Sequence, residues 1–300
     1  MTPWLRLLRV PNLFTVPGDP LAGYALAVAA TGAASFDALP AALAVGASLL
    51  LYVFGLIDND LADLKEDRRD RPDRPLPSGQ ISTRRAILAA FVAFAAALAL
   101  AWADGSATLG VAAVLAATIL LYNHLLKRVP VVGPLAMGLC RGLSVMIGAS
   151  VLGKPGLLAL PAALAAGLIA LYIAAVTAIA AGETSGSKVG RRRNLPAMIL
   201  AFFFTFIFMT VFESALPLPA WAFLALAAVS VIASGLGAIR LGGQPEPAKV
   251  QKTVGLFIRV LLPIQAGFCC LLPWPGLIIA AVLLVCWPIA AIVGRRFYAS

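Results

Sequence analysis

Ten stretches of this chain, each about twenty residues long and nearly free of charge, dictate what it can become. A helix needs about 20 mostly apolar residues to cross the hydrocarbon core of a bilayer. Such runs lie near 12–34, 38–57, 83–103, 106–124, 131–151, 156–182, 195–213, 218–240, 253–272 and 275–294. Little of the 300 residues remains for a soluble domain. The expected fold is therefore all-α, a polytopic membrane helical bundle forming one domain over 1–300. Charged residues make up 12% of the chain, against roughly a quarter in soluble proteins, which excludes a soluble enzyme, a disordered chain or a nucleic-acid-binding module despite a net charge of +10. Pro17, Gly18, Pro20, Pro161, Pro263 and Pro288 sit inside these runs, a placement that neighbouring helices can tolerate by satisfying the freed backbone groups. The first run reads as a retained helix rather than a cleaved signal, because nine further spans follow it. The four cysteines lie in apolar runs without CxxC spacing, and His124 alone cannot complete a zinc site with them.

Basic residues set the expected orientation. Arg6 and Arg9, the group from Lys65 to Arg85, Lys127 and Arg128, Lys188 and Arg191 to Arg193, the group from Arg240 to Arg259, and Arg295 with Arg296 all share one side of a ten-span topology. Lys154 falls opposite, and Arg141 lies within the fifth span. Short cytoplasmic loops carry the Lys/Arg excess, so a multi-pass protein of the plasma or inner membrane with both termini cytoplasmic is expected. Nine spans would move Arg295 and Arg296 outside, which favours ten.

Seven of the thirteen acids crowd into 58–73, directly after the second span. If that helix continues past the membrane surface, Asn59, Asp63 and Asp67 stand four residues apart and drift only about 40° per step, so their oxygens line one face. Such a face suits magnesium, which is held by carboxylates together with waters and substrate phosphates. Lys65, Arg68 and Arg74 are placed to hold the same phosphates. On spacing alone, a solvated charged loop fits equally well. The balance shifts because Asn59 sits at the membrane boundary and because a second polar loop, GETSGSKVGRRRNLP with Glu183 and Ser187, is expected on the same side. A diphosphate between loops 58–82 and 183–194 is the natural ligand.

The string NDLADLKED followed by RPDRPLPSG resembles the first aspartate motif of the UbiA superfamily of intramembrane prenyltransferases, through Asn59, Asp63, Asp67, Arg74, Pro75, Ser78 and Gly79. LYNHLLKRVPVVGPLAMGLCRG resembles the family's stretch from Tyr122 to Lys127. The opening RLLRVPNLFTVPGDPLAG and the MGLCRG around Arg141 look most like the bacterial EboC branch. The resemblance covers roughly 5–272. It implies nine core helices around a central cavity, here with a tenth expected beside them, and a lateral opening for an isoprenoid tail. It also implies Mg2+-dependent transfer of an isoprenyl group from a polyprenyl diphosphate to an aromatic or other lipophilic acceptor, by leaving-group stabilisation. Membrane lipid is the surrounding partner, and nucleic acid is not one.

Carried over by position, Asn59, Asp63, Asp67 and Glu183 are the metal ligands. Asp63, Asp67 and Tyr122 are expected to be catalytic and Arg74 and Lys127 to contact the diphosphate; apart from the resemblance, Arg68 beside the acidic face, Arg141 within a span and Lys188 beside the second polar loop are expected to contact it as well. Three departures stand out: Glu183 and Ser187 replace the usual second pair of aspartates, the gap from Tyr122 to Lys127 is one residue longer than the commonest spacing, and a tenth span exceeds the usual nine. The first supports an alternative, a non-catalytic component that binds, transports or assembles prenyl lipids. A secondary transporter ranks last, since no internal repeat is evident. Arg141 within a span is a functional residue by default, against pairing with an acid; Asp19 is a cavity acid or a helix-break cap; His124 reads as a neighbour of Tyr122. The phenylalanines at 202, 203, 204, 206 and 208 either line a prenyl channel or face lipid.

Overall fold

The computed structural model describes residues 3–33, 35–184, 190–211 and 218–298. It is all-helical there: α1 (Pro3–Leu7), α2 (Val10–Leu13), α3 (Gly18–Thr31), α4 (Ala38–Ala62), α5 (Leu64–Asp70), α6 (Thr83–Asp104), α7 (Ser106–Leu121), a π turn (Tyr122–Leu126), α8 (Val132–Ser150), α9 (Gly153–Leu157), α10 (Leu160–Thr184), a 3-10 turn (Gly190–Asn194), α11 (Leu195–Val211), α12 (Leu218–Arg240), α13 (Pro247–Cys270) and α14 (Gly276–Tyr298). Among the described residues, nine segments are long and apolar enough to span a membrane. The remaining expected span, 195–213, corresponds to α11, described over 17 residues. Spans two and nine run longer at the loop end than expected, to Ala62 and from Pro247.

The first span is not one helix. Pro11, Pro17 and Pro20 lack backbone donors, and Arg9 adopts a left-handed conformation at φ 47°. The amide of Asp19 therefore bonds the carbonyl of Val16 at 3.2 Å rather than that of Thr15. This leaves the Thr15 carbonyl inside the bundle without a helical donor.

Burial orders the bundle. In α13, 78% of the spanning window is buried, against 22% in α14, so α13 is a central column with α12, α14, α3 and α10 packed against it. On α6 the pattern of a soluble helix is inverted. Ala86, Ala90, Ala93, Ala97 and Ala101 face inward toward α4, while Ile87, Leu88, Phe91 and Val92 face out. Lipid is as apolar as leucine, so helices here gain by close approach of small residues rather than by hiding large ones.

Two glycines show how close that approach is between α3 and α8. A Cβ on Gly148 would lie 1.8 Å from the Pro20 carbonyl oxygen, and one on Gly23 would lie 1.9 Å from that of Val145. Neither neighbour is a flexible side chain. Gly148→Val should cost about 1–3 kcal/mol through overpacking, whereas Gly110→Val, with nothing within 4 Å, should leave stability unchanged. The midpoint of unfolding in mixed micelles measures both.

Candidate active site

The second helix carries its acids past the membrane boundary in unbroken register. The amide of Asp63 bonds the Asn59 carbonyl at 3.0 Å and that of Asp67 bonds the Asp63 carbonyl at 2.8 Å. Asn59, Asp63 and Asp67 therefore share a face across the junction of α4 and α5, as their spacing required.

Five acids of this run, from Asp58 to Asp67, hold a partner from another segment. Asp63 takes the Lys127 ammonium at 2.5 Å, Asp67 takes Arg74 at 2.6 Å, and Asp60 takes Arg9 at 3.2 Å. Asp58 accepts from Asn123 Nδ2 at 2.7 Å and lies 3.2 Å from His124 Nε2, while Arg128 pairs with Glu66. Loops before span one, after span two and after span four thus meet at one end of the bundle. His124 serves as an exposed partner of Asp58.

Local folding explains how the cations arrive. Arg74 opens the RPLPSG segment, in which Ser78 Oγ donates to the Arg74 carbonyl at 2.7 Å and Gly79 turns at φ 76°. Leu76 and Ile81 are buried beneath it, so the loop is anchored and Arg74 is delivered to Asp67. The longer gap from Tyr122 to Lys127 becomes a π turn, with the Lys127 amide bonding the Tyr122 carbonyl at 2.9 Å. A π turn closes on the fifth residue where an α turn closes on the fourth, so the extra residue is absorbed and Lys127 returns to the face of Tyr122.

Below this end lies a cavity of about 330 Å³. Arg9, Asn59 and Tyr122 line it, followed inward by Tyr52, Cys140, Arg141, Ser48 and Ser144, with Ile119, Ile173, Val176, Ile258 and Leu261 forming apolar wall. A polar mouth opening into a greasy chamber can bind an amphiphile with an anionic head and a hydrocarbon tail.

The donor set fits magnesium in kind. Asp63 and Asp67 supply carboxylates on one face with the Asn59 amide beside them, and magnesium completes its shell with water and substrate phosphate. Among the described residues no three carboxylate, histidine or cysteine side chains converge, so the described protein offers part of a coordination shell.

The structure does not gather every expected site residue. Arg68 is exposed and makes no side-chain hydrogen bond among the described residues. Arg141 stands apart from the ladder: its Nε lies 2.9 Å from Asp19 Oδ2, the acid pairing weighed against a diphosphate contact. Of the phenylalanine group, Phe202 and Phe206 face outward, Phe204 packs on Phe223 and Phe268, and none of those described lines the cavity. Of the two alternatives, the outward Phe202 and Phe206 fit the lipid-facing one. The Glu183 side chain and all of Ser187 and Lys188 lie outside the described residues. Arg9, read from sequence only as an orientation charge, lines the cavity; its place beside a cluster of prolines gave no side-chain signal.

The sequence profile of the UbiA prenyltransferase family matches residues 20–261. The chain belongs to this family. Membership makes it a membrane prenyltransferase, and the fold agrees. A UbiA homologue from Aeropyrum pernix superposes with a TM-score of 0.64 at 20% identity, covering 85% of this chain and 96% of that one. A UbiA homologue from Archaeoglobus fulgidus bound to GPP and Mg2+ gives 0.56 at 18% identity, covering 88% and 99%. Relatives in sequence include a digeranylgeranylglyceryl phosphate synthase of Methanoculleus marisnigri, 30% identical over 65% of this chain and 68% of that protein. That of Methanosarcina mazei is 29% identical over 60% and 62%. The UbiA chain described here thus spans only about two thirds of these relatives.

Proposed function

We propose that this protein transfers an isoprenyl group from a polyprenyl diphosphate to a lipophilic acceptor, with magnesium at the Asn59, Asp63 and Asp67 ladder. The observation that carries the reading is that ladder, ringed by Lys127, Arg74 and Arg9 and opening on an apolar cavity. The homologue bound to GPP and Mg2+ supports both ligands. The synthases above support an acceptor that is itself a lipid, and the aromatic class remains the second candidate. A place in the EboC branch rests on the residues around Arg9 and Arg141. Basic loops meeting the acid run at one end support cytoplasmic termini.

The chain's residues account for the reaction as follows. In the resting state Lys127 and Arg74 neutralise the ladder. On binding they turn to the diphosphate oxygens, with Arg9 at the cavity rim. The allylic C–O bond breaks with its electron pair leaving on the diphosphate, the acceptor's nucleophilic atom bonds to the released carbon, and the acceptor loses a proton. Tyr122 and the apolar walls exclude water from that carbon. Bound magnesium supplies charge neutralisation of the leaving group.

Asp63→Ala should lower prenyl transfer in purified membranes with magnesium and geranylgeranyl diphosphate by about 10²-fold or more; unchanged turnover would remove Asp63 from the site. Lys127→Met should tighten Mn2+ binding to the protein alone, because Asp63 loses its competitor, yet weaken binding of geranylgeranyl thiodiphosphate. Manganese paramagnetic resonance and equilibrium binding read the two opposite signs. The second reading, a prenyl-lipid carrier, is favoured by Ser187 at the position of an expected aspartate. Glu183→Asp with Ser187→Asp should raise turnover in an enzyme with a trimmed second motif and leave a carrier inactive.

A further inference from the structure

The cavity has a second polar end, well away from the ladder. Arg141 lies nine residues along α8 from Val132, about 13 Å at 1.5 Å per residue. Its guanidinium carbon lies 5.9 Å from the Tyr52 ring centre, and Tyr52 precedes Asp63 by eleven residues of α4, about 16 Å. Both measures put this end roughly three helical turns inward of the Asp63 carboxylate. A diphosphate held at Asp63 and Lys127 does not extend that far.

The group is built as a rigid unit. Arg141 Nε faces Asp19 Oδ2 at 2.9 Å, and Nη2 donates to the Thr15 carbonyl at 2.9 Å. Gln265 Nε2 donates to the same carbonyl at 2.8 Å and to Asp19 Oδ1 at 2.6 Å. Asp19 and Gln265 are fully buried. The Thr15 carbonyl is available because the helix break denies it a donor. A turn deeper, Ser48 and Ser144 share a hydrogen bond of 2.5 Å. Arg141, Thr15, Tyr52, Ser48 and Ser144 all line the cavity, while Asp19 and Gln265 stand behind them. Nη1 of Arg141 has no protein hydrogen-bond partner among the described residues.

Charge determines what can bind there. Arg141 and Asp19 cancel, so an anion would bring an uncompensated charge into a low-dielectric chamber, and a bare hydrocarbon would leave a donor unmatched. An uncharged oxygen satisfies the guanidinium at no electrostatic cost. We infer that the Arg141 end is the recognition site for the co-substrate, binding an uncharged hydroxyl or carbonyl oxygen of the lipophilic acceptor. Arg141 acts there as a positioning and specificity residue. This rests on the transfer reading above.

The test uses the full chain in lipid nanodiscs with magnesium, geranylgeranyl thiodiphosphate and three probes of matched shape: 1-naphthol, naphthalene and 1-naphthoate. The wild type should bind 1-naphthol at least tenfold more tightly than either analogue. Asp19→Asn with Arg141→Gln removes the pair as a unit without orphaning a charge. It should reduce that preference below threefold and leave thiodiphosphate affinity within twofold. Retention of the preference overturns the inference, as does a parallel loss of thiodiphosphate affinity, which would return Arg141 to the donor's head. If this variant fails to fold, Ser48→Ala with Ser144→Ala keeps the pair and should weaken 1-naphthol at least threefold; no loss overturns the inference. A wild type that binds no thiodiphosphate refutes the transfer reading, whereas binding it without a naphthol preference refutes only the subsite.

Discussion

A charge carried to the edge of a bilayer, or into it, must find its counterpart within the protein, because lipid offers none. The acids at the end of α4 and along α5 obey this rule. They hold together a structure whose helices gain little from hydrophobic association. Asp60 ties down the segment before the first span, Asp58 and Asp63 tie the turn after the fourth, and Asp67 ties the loop that follows α5. The same pairs assemble the mouth of the cavity, so the end of the bundle and the head-group site are formed by one set of contacts.

The pairs differ in what can replace them. Arg128 and Glu66 are both largely exposed, and such a pair is worth little. The Asp67 carboxylate is nearly buried and Lys127 is mostly covered. Leaving either alone would be costly, yet each can change partner without loss when an opposite charge arrives with the ligand. Metal and diphosphate together provide two such charges. Either by itself supplies one and strands the other partner. The ion pairs of the resting mouth therefore favour joint over separate binding.

Much of this was legible in the chain. Apolar run length gave the spans, and the four-residue spacing of Asn59, Asp63 and Asp67 gave the ladder, because both are local properties of a helix. The break in the first span was readable only in part. Prolines at 11, 17 and 20 signal interruption, but nothing in the sequence marks Arg9 as left-handed. Partners were not legible at all. Arg9 with Asp60, Lys127 with Asp63 and Arg141 with Asp19 are each separated by fifty residues or more and are chosen by helix packing, which periodicity does not specify. The extra residue before Lys127 read as a departure and proved to be a π turn that restores the geometry.

The two polar ends of the cavity follow opposite designs. At the mouth, cations and acids come from separate loops near water, where pairs can open and exchange. At the inner end, Arg141 is clamped by Asp19 and by a carbonyl that the proline-rich break releases from helical service, and Gln265 from α13 holds both of these partners in place. A guanidinium held on two sides cannot swing to a new anion, so it can recognise only what presents itself along its free edge. Between the ends lies apolar wall that suits a hydrocarbon tail. A chamber with an exchangeable ionic gate and a fixed neutral pole imposes direction on its contents. The charged head group stays at the mouth, and any oxygen of the second reactant is drawn inward past the carbon that is to be attacked.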